Sequence, residues 1–494
     1  MEDKLPDMNT AEEVTSYSRF DHVFVYIVLL LGFCFIRFVL WNVTGFFTTL
    51  FFIATMSACL AYLRRSKFHM NKFHIFLCVL ILLFSLVFSI TANRFIKFLD
   101  FNFVTLLGIY WVYSICSEKN TVERFFVFSI LKAAIIMPFT DFTRLPKVIA
   151  YSSKRSKTSN NIRLAFLGLI VTIPLTLMVA GLLISADKGV KDMLGMFFDN
   201  ISVKCVEIIM QFMLGIPVAL YLFGMLFSNV RKAKKDLLTD EQCEKGLKQL
   251  QVTPNIAVYS AVTPICFLYA LFFISQVRYF IAAFGGNLPQ DYSYAEYARR
   301  GFFELCVISV INLMVLVFIS LLPKQGGENK PVILKLYSAV LSVFTLLIIS
   351  TAVSKMVMYI GQYGLTQLRV YTSWFMILLA VIFVLIIIKQ FHFKFHIAKY
   401  ALLSFVIMFG VLCFSNIDRN IARYNIRMHQ AGKLEDLDLR SICSTSDDGM
   451  LYAVQNGINA GYYLGDKLEM YKSNPYSTYN LSSLQLKRLL EKND

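Results

Sequence analysis

The chain has 494 residues, 57% of them hydrophobic and only 16% charged, with a mean hydropathy of +0.60. A soluble domain averages about 45–50% apolar and about 25% charged residues, so disorder and an ordinary water-soluble enzyme are both excluded. The net charge of +16 does not point to a nucleic-acid partner. The basic residues sit in short gaps between apolar runs, where membrane orientation places them, and not on an aromatic-laced face.

An all-α, polytopic membrane bundle is therefore expected. Residues 1–22 are polar and acidic, which fits a cytoplasmic segment and not a signal peptide. A helix needs roughly 20 apolar residues to cross the hydrocarbon core. That ruler predicts eleven spans: Val23–Leu40, Phe46–Leu63, Phe73–Ile90, Phe101–Ile115, Leu164–Ser185, Val206–Phe227, Ala257–Ile281, Phe302–Leu322, Leu336–Ile360, Tyr371–Ile388 and Tyr400–Phe414. Asp100 and Asn102 weaken the start of the fourth. The apolar stretch Phe125–Phe139 is interrupted by Lys132 and reads as an interfacial amphipathic helix.

Lys and Arg set the orientation. Arg64, Arg65, Lys67 and Lys72 follow the second span, a basic loop near 118–160 follows the fourth, and Arg231, Lys232, Lys234 and Lys235 follow the sixth. The gap Trp41–Thr44 has no basic residue. Eleven spans with an inner amino terminus put every rich loop inside, Cys243 inside, and Cys443 in an outer tail. The chain thus divides into 1–22, a first membrane half 23–253, a second half 254–415 and a helical tail 416–494. In the tail, Leu481, Leu484 and Leu489 recur at helical spacing in the segment Leu481–Leu490. Such a short helix needs a partner, so the tail is expected to cap the bundle, with Arg423 near Glu296 or Asp418.

Ionisable groups in a membrane need partners or water. Arg37, Glu207, Arg278, Glu304 and Lys355 all fall toward the outer ends of their spans. Glu207 and Gln211 are one turn apart, with Gly215 a further turn on, and Glu296, Arg300 and Glu304 are spaced by four. Snorkelling or register-fixing pairs account for any one of these. Their convergence suggests a polar, outward-facing pocket, with Glu304 paired to Arg300 and to Arg278 or Lys355. Pro174, Pro217 and Pro264 interrupt three spans, as prolines do in many membrane helices. His392 and His396 read as a loop and not a metal pair. No C-x-x-C pair or phosphate-binding loop occurs, and no cofactor or metal is expected.

Several segments resemble a bacterial multi-pass family. They are Tyr294-Ala295-Glu296-Tyr297-Ala298-Arg299-Arg300-Gly301-Phe302-Phe303-Glu304-Leu305, Tyr363-Gly364-Leu365-Thr366-Gln367-Leu368-Arg369, Asn416-Ile417-Asp418 with Ala422-Arg423-Tyr424-Asn425, and Tyr479-Asn480-Leu481-Ser482. The family is domain of unknown function 4173, with the related group 4153 as the second match, and the resemblance runs from Pro254 onward. It implies a bacterial cytoplasmic-membrane protein without an established activity, and it adds Arg369, Asp418 and Arg423 to the outer-face residues. The expected function is non-enzymatic transport or sensing of a small-molecule or envelope-lipid ligand. An enzyme acting on an envelope lipid or glycan precursor, with Glu304 or Glu207 as acid or base, and a scaffold docking through the tail are the alternatives.

Overall fold

The computed structural model describes residues 19–42, 44–140, 203–232, 240–285, 302–324, 331–392, 394–434, 436–443, 445–458, 461–473 and 479–493, with isolated positions between 145 and 189. Among them there is no strand, and the fold is an all-α membrane bundle. Ten helices are long and apolar enough to cross a membrane. In chain order the elements are α1 (Arg19–Phe35, continued by a π-helical turn Ile36–Leu40), α2 (Phe46–Arg65), α3 (Lys72–Ile90), α4 (Arg94–Cys116), α5 (Phe126–Thr140), α6 (Val203–Lys232), α7 (Asp240–Leu250), α8 (Asn255–Gly285), α9 (Phe302–Leu321), α10 (Val332–Tyr363), α11 (Gln367–Phe391) and α12 (Ile397–Phe414). The tail adds α13 (Ile417–Gln430), α14 (Leu439–Cys443), α15 (Asp447–Gln455), α16 (Gly461–Ser473) and α17 (Leu481–Asn493). The expected span Leu164–Ser185 lies outside the described residues, apart from isolated positions. The fourth span starts a full two turns before Phe101, because Asn93 caps it by accepting from the Ile96 amide.

The chain folds as two compact units that do not follow its order. The smaller holds residues 1–41, 54–68 and 133–232. Its organising contact is between α1 and α6, where a Cβ on Gly32 would stand 2.2 Å from the Gly215 carbonyl oxygen. Only glycines let two backbones approach so closely. Phe24 packs on Tyr62 with ring centroids 4.4 Å apart, and the Tyr62 hydroxyl donates to buried Asp21 at 2.8 Å. Pro217 lies inside α6, which runs through it without a break. The Tyr221 hydroxyl holds the Ala134 carbonyl of α5 at 2.9 Å, and α5 is too short to span.

The larger unit holds residues 42–53, 69–132 and 233–494. Its spans α8 to α11 share an apolar core around Phe302, Leu341, Met376 and Phe383. Buried Asn312 fastens it, accepting from the Tyr269 hydroxyl at 2.6 Å and donating to Thr345 at 2.9 Å. The loops of this unit collect at two ends. At one, Asn71 bonds the Lys119 carbonyl, Arg124 pairs with Glu244, Thr253 bonds Leu322, and Lys389 bonds the Phe395 carbonyl. At the other, Gly45, Ile90–Asn93, Gly364–Gln367 and Ser415–Asn416 meet the tail. The tail does fold back on the bundle, with its own core of Ile426, Ile442, Met450, Tyr471, Leu486 and Leu490. The apolar stripe of α17 is rotated from the expected one. Leu481 is 44% exposed, whereas Ser482, Ser483, Leu486 and Leu490 face inward. Cys443 is buried in the tail core, so its thiol cannot report which side of a membrane the tail occupies.

Candidate functional site

The residues singled out in the sequence divide between the two units. Arg37, Gln211 and Glu207 make a relay within the smaller unit. The Arg37 guanidinium donates to Gln211 Oε1 at 3.3 Å, and Gln211 Nε2 donates to Glu207 Oε1 at 2.9 Å. Arg37 sits in the π-helical turn that ends α1. Glu296 and Arg300 lie outside the described residues, as does the side chain of Arg278. Glu304 is exposed at the start of α9, within electrostatic range of half-buried Lys355. Arg369 stacks on Tyr359 at 4.2 Å and donates to the Tyr363 carbonyl at 2.9 Å and to that of Gly364, which closes the end of α10.

Asp418 is where the motifs converge. Two short turns bring it there. Asn416, at φ 48°, caps α13 by accepting from the Arg419 amide, and Thr366 caps α11 by accepting from the Arg369 amide. Between them Asn425 clamps Leu365, accepting from its amide at 2.7 Å and donating to its carbonyl at 2.8 Å. Gly364, at φ 74°, is needed for this clamp, since a Cβ there would lie 2.6 Å from Asn425 Oδ1. Asp418 then accepts from Gln367 at 2.7 Å, from Asn93 at 2.8 Å and from Ser446. Arg423, expected beside an acid such as Asp418, is instead exposed on the opposite face of α13. A guanidinium can stay hydrated there, and neutral donors satisfy the acid.

Two further buried acids complete the junction. Asp448 accepts from Thr91 at 2.5 Å, from the Ala92 amide at 2.8 Å and from Ser482. Asp447 pairs with Lys467 at 2.6 Å and accepts from Tyr471 at 2.8 Å and from Ser483. The Tyr479-Asn480-Leu481-Ser482 motif supplies the Tyr479 carbonyl to the Phe46 amide at 2.7 Å, and Asn480 caps α17 through the Ser483 amide. Electrostatics separate the acids. Burial pushes the Asp418 carboxyl above the usual range against the pull of Ser446 and Gln367, and nearby Asp448 adds to the rise. Burial would also raise Asp447, but Lys467 and the Ser483 and Tyr471 hydroxyls hold it below that range.

Below this junction, α4 carries two charges that face the protein interior. Lys97 is 4% exposed and reaches back toward the tail, donating to the Thr44 carbonyl at 2.5 Å. Asp100, one turn deeper, is 0% exposed, and neither of its carboxylate oxygens has a hydrogen-bond partner. The sequence marks Asp100 only as a weak span boundary and Asp448-Gly449 only as a turn signal, whereas both Asp447 and Asp448 open helix α15. The signal for Asp100 was an acid on the periodic, buried face of α4. Among the described residues no group of three or more His, Cys, Asp or Glu could hold a metal ion.

This fold and these buried charges define a multi-pass α-helical membrane protein. A family model described as domain of unknown function DUF4153 matches residues 78–455, about three quarters of the chain, and the chain belongs to that family. Of the two resembling groups it is the second, 4153, that matches. The match begins within α3, well before Pro254, and stops at the end of α15, so the Tyr479–Ser482 motif falls outside it. No curated protein and no solved structure matches the chain.

Proposed function

We propose that the protein is a transporter-like component of the cytoplasmic membrane, in bacteria as the family resemblance implies, that couples to a proton or a small monovalent cation at Asp100. The observation that carries this reading is the buried carboxylate of α4 with both oxygens unpartnered. An intramembrane acid is costly and needs a counter-charge or a proton. Lys97, the nearest basic group along the helix, is directed away to Thr44, so Asp100 is free to take a mobile one. The junction of Asp418, Asp447 and Asp448 lies on the tail side of Asp100. The tail is assigned to the outer face because the connections Asn42–Gly45 and Gly364–Thr366 carry no Lys or Arg, whereas those at the other end of the larger unit include Lys72, Lys119 and Arg124.

A hydrophobic carbodiimide, which reacts with protonated carboxyls inside membranes, tests the site. It should modify Asp100 in native membranes, Asp100→Asn should abolish that modification, and sodium or alkaline pH should slow it. In proteoliposomes a proton flux driven by an imposed potential should be lost in Asp100→Asn. Carbodiimide-resistant Asp100 with undiminished flux in the variant would remove the proposal. For orientation, an impermeant thiol reagent should label Leu481→Cys and spare Lys248→Cys in intact cells; the reverse pattern would invert the assignment.

A further inference from the structure

Outside the junction, a cavity of about 430 Å³ lies on the exposed side of α13, lined by Asn416, Arg419, Asn420, Arg423, Arg427 and Tyr452. The three arginines are spaced by four, so they form one stripe, and Ile417, Ile421, Ala422 and Ile426 on the other side are buried. Among the described residues none of the three has a carboxylate within ion-pair distance, and Arg419 leans over the Tyr452 ring at 5.9 Å. No acid lines the cavity. Three uncompensated guanidiniums facing one concave surface repel each other, and an anion relieves that repulsion.

The position of the stripe says where the anion comes from. From Leu403 to the end of α12 the exposed residues are Leu403, Ile407, Val411 and Phe414, all apolar and at helical spacing. At Ser415 the exposed residues turn basic. The change from hydrocarbon-compatible side chains to arginines within one turn marks the level of lipid phosphates. The first and last arginines are separated by about 12 Å along the helix axis, a stripe longer than a single phosphate group is wide. Arginine forks suit phosphate oxygens bidentately.

We infer that this cavity binds an anionic lipid headgroup bearing two phosphates, with Arg419, Arg423 and Arg427 sharing them and Asn416 and Asn420 supplying neutral donors. This site is independent of Asp100 and of the transport reading.

Native mass spectrometry of the full-length protein in neutral detergent, with added cardiolipin as the two-phosphate probe, tests it. The wild type should retain one cardiolipin in preference to phosphatidylglycerol, and Arg419→Gln/Arg423→Gln/Arg427→Gln should lower retention by about tenfold or more. A control removing the same charge elsewhere, Lys487→Gln/Arg488→Gln/Lys492→Gln, should leave retention unchanged, and equal melting temperatures of both variants will show that each is folded. Undiminished retention in the arginine variant, or an equal loss in the control, would overturn the site. Inorganic pyrophosphate that displaces the lipid at micromolar concentration would overturn the lipid as its source in favour of a soluble diphosphate.

Discussion

The junction acids and Asp100 are buried to nearly the same degree, yet they are held in opposite ways. Asp418, Asp447 and Asp448 each accept three hydrogen bonds from side chains or amides of other elements. Asp100 accepts none. A buried acid that is fully hydrogen-bonded fixes the arrangement of the elements around it. One without partners adds cost and no order, so its retention needs a reason other than stability. The contrast separates a structural acid cluster from a chemical acid within one unit of one chain.

The largest expected effect lies at Asp448. Asp448→Ala strands the Thr91 hydroxyl, the Ala92 amide and Ser482, and should cost about 3 kcal/mol or more, read as a lowered melting temperature in detergent. A variant that melts like the wild type would break the comparison on its structural side. Gly364→Ala should cost about 2 kcal/mol by the same measurement, through positive φ and the clash with Asn425.

Lys467→Gln sharpens the comparison through pH. The depressed Asp447 pKa contributes stability that is fully present above the ordinary aspartate value of about 3.9 and is lost as pH falls through the lower folded value. The wild type should therefore exceed Lys467→Gln by about 1 kcal/mol at pH 7, and the difference should vanish near the acid end. Asp418 works in the other sense, because its raised pKa makes the folded state weaker as pH rises from about 4. The smallest effect is reserved for Asp100→Asn, which should change melting by under about 1 kcal/mol while abolishing carbodiimide modification. Loss of several degrees there would mean that Asp100 holds structure after all.

Helix identity was legible because apolar length is a property of a contiguous segment. Ten of the spans emerge where hydropathy put them, and their ends move outward wherever a polar residue caps the helix, as Asn93 and Thr366 do. The candidate site was legible only in part. Asp418 and Arg369 came from the motif, but their partners Asn93, Ser446 and Asp448 are hundreds or tens of residues away, and no local pattern pairs them. Asp100 was visible as an exception to hydropathy and was read as a boundary. A helical-wheel view of α4 would have put it on the buried side with Ile96, Val104 and Leu107. Arg423 misled because opposite charges suggest pairing, whereas its place on the exposed face of amphipathic α13 was already set by Ile421, Ala422 and Ile426.

The hydrogen bonds from Thr91 and the Ala92 amide to Asp448 and from the Phe46 amide to the Tyr479 carbonyl have a consequence for how the protein is made. A ribosome inserts α2 and α3 early, with their tail-side ends complete in sequence but unfinished in structure. The Asp448 carboxylate that satisfies Thr91 is synthesised 357 residues later, and the Tyr479 carbonyl later still. Until then those ends must be served by water or by an assembly factor. Any chain released before Tyr479 is made keeps its spans but lacks the groups that complete the tail-side ends of α2 and α3.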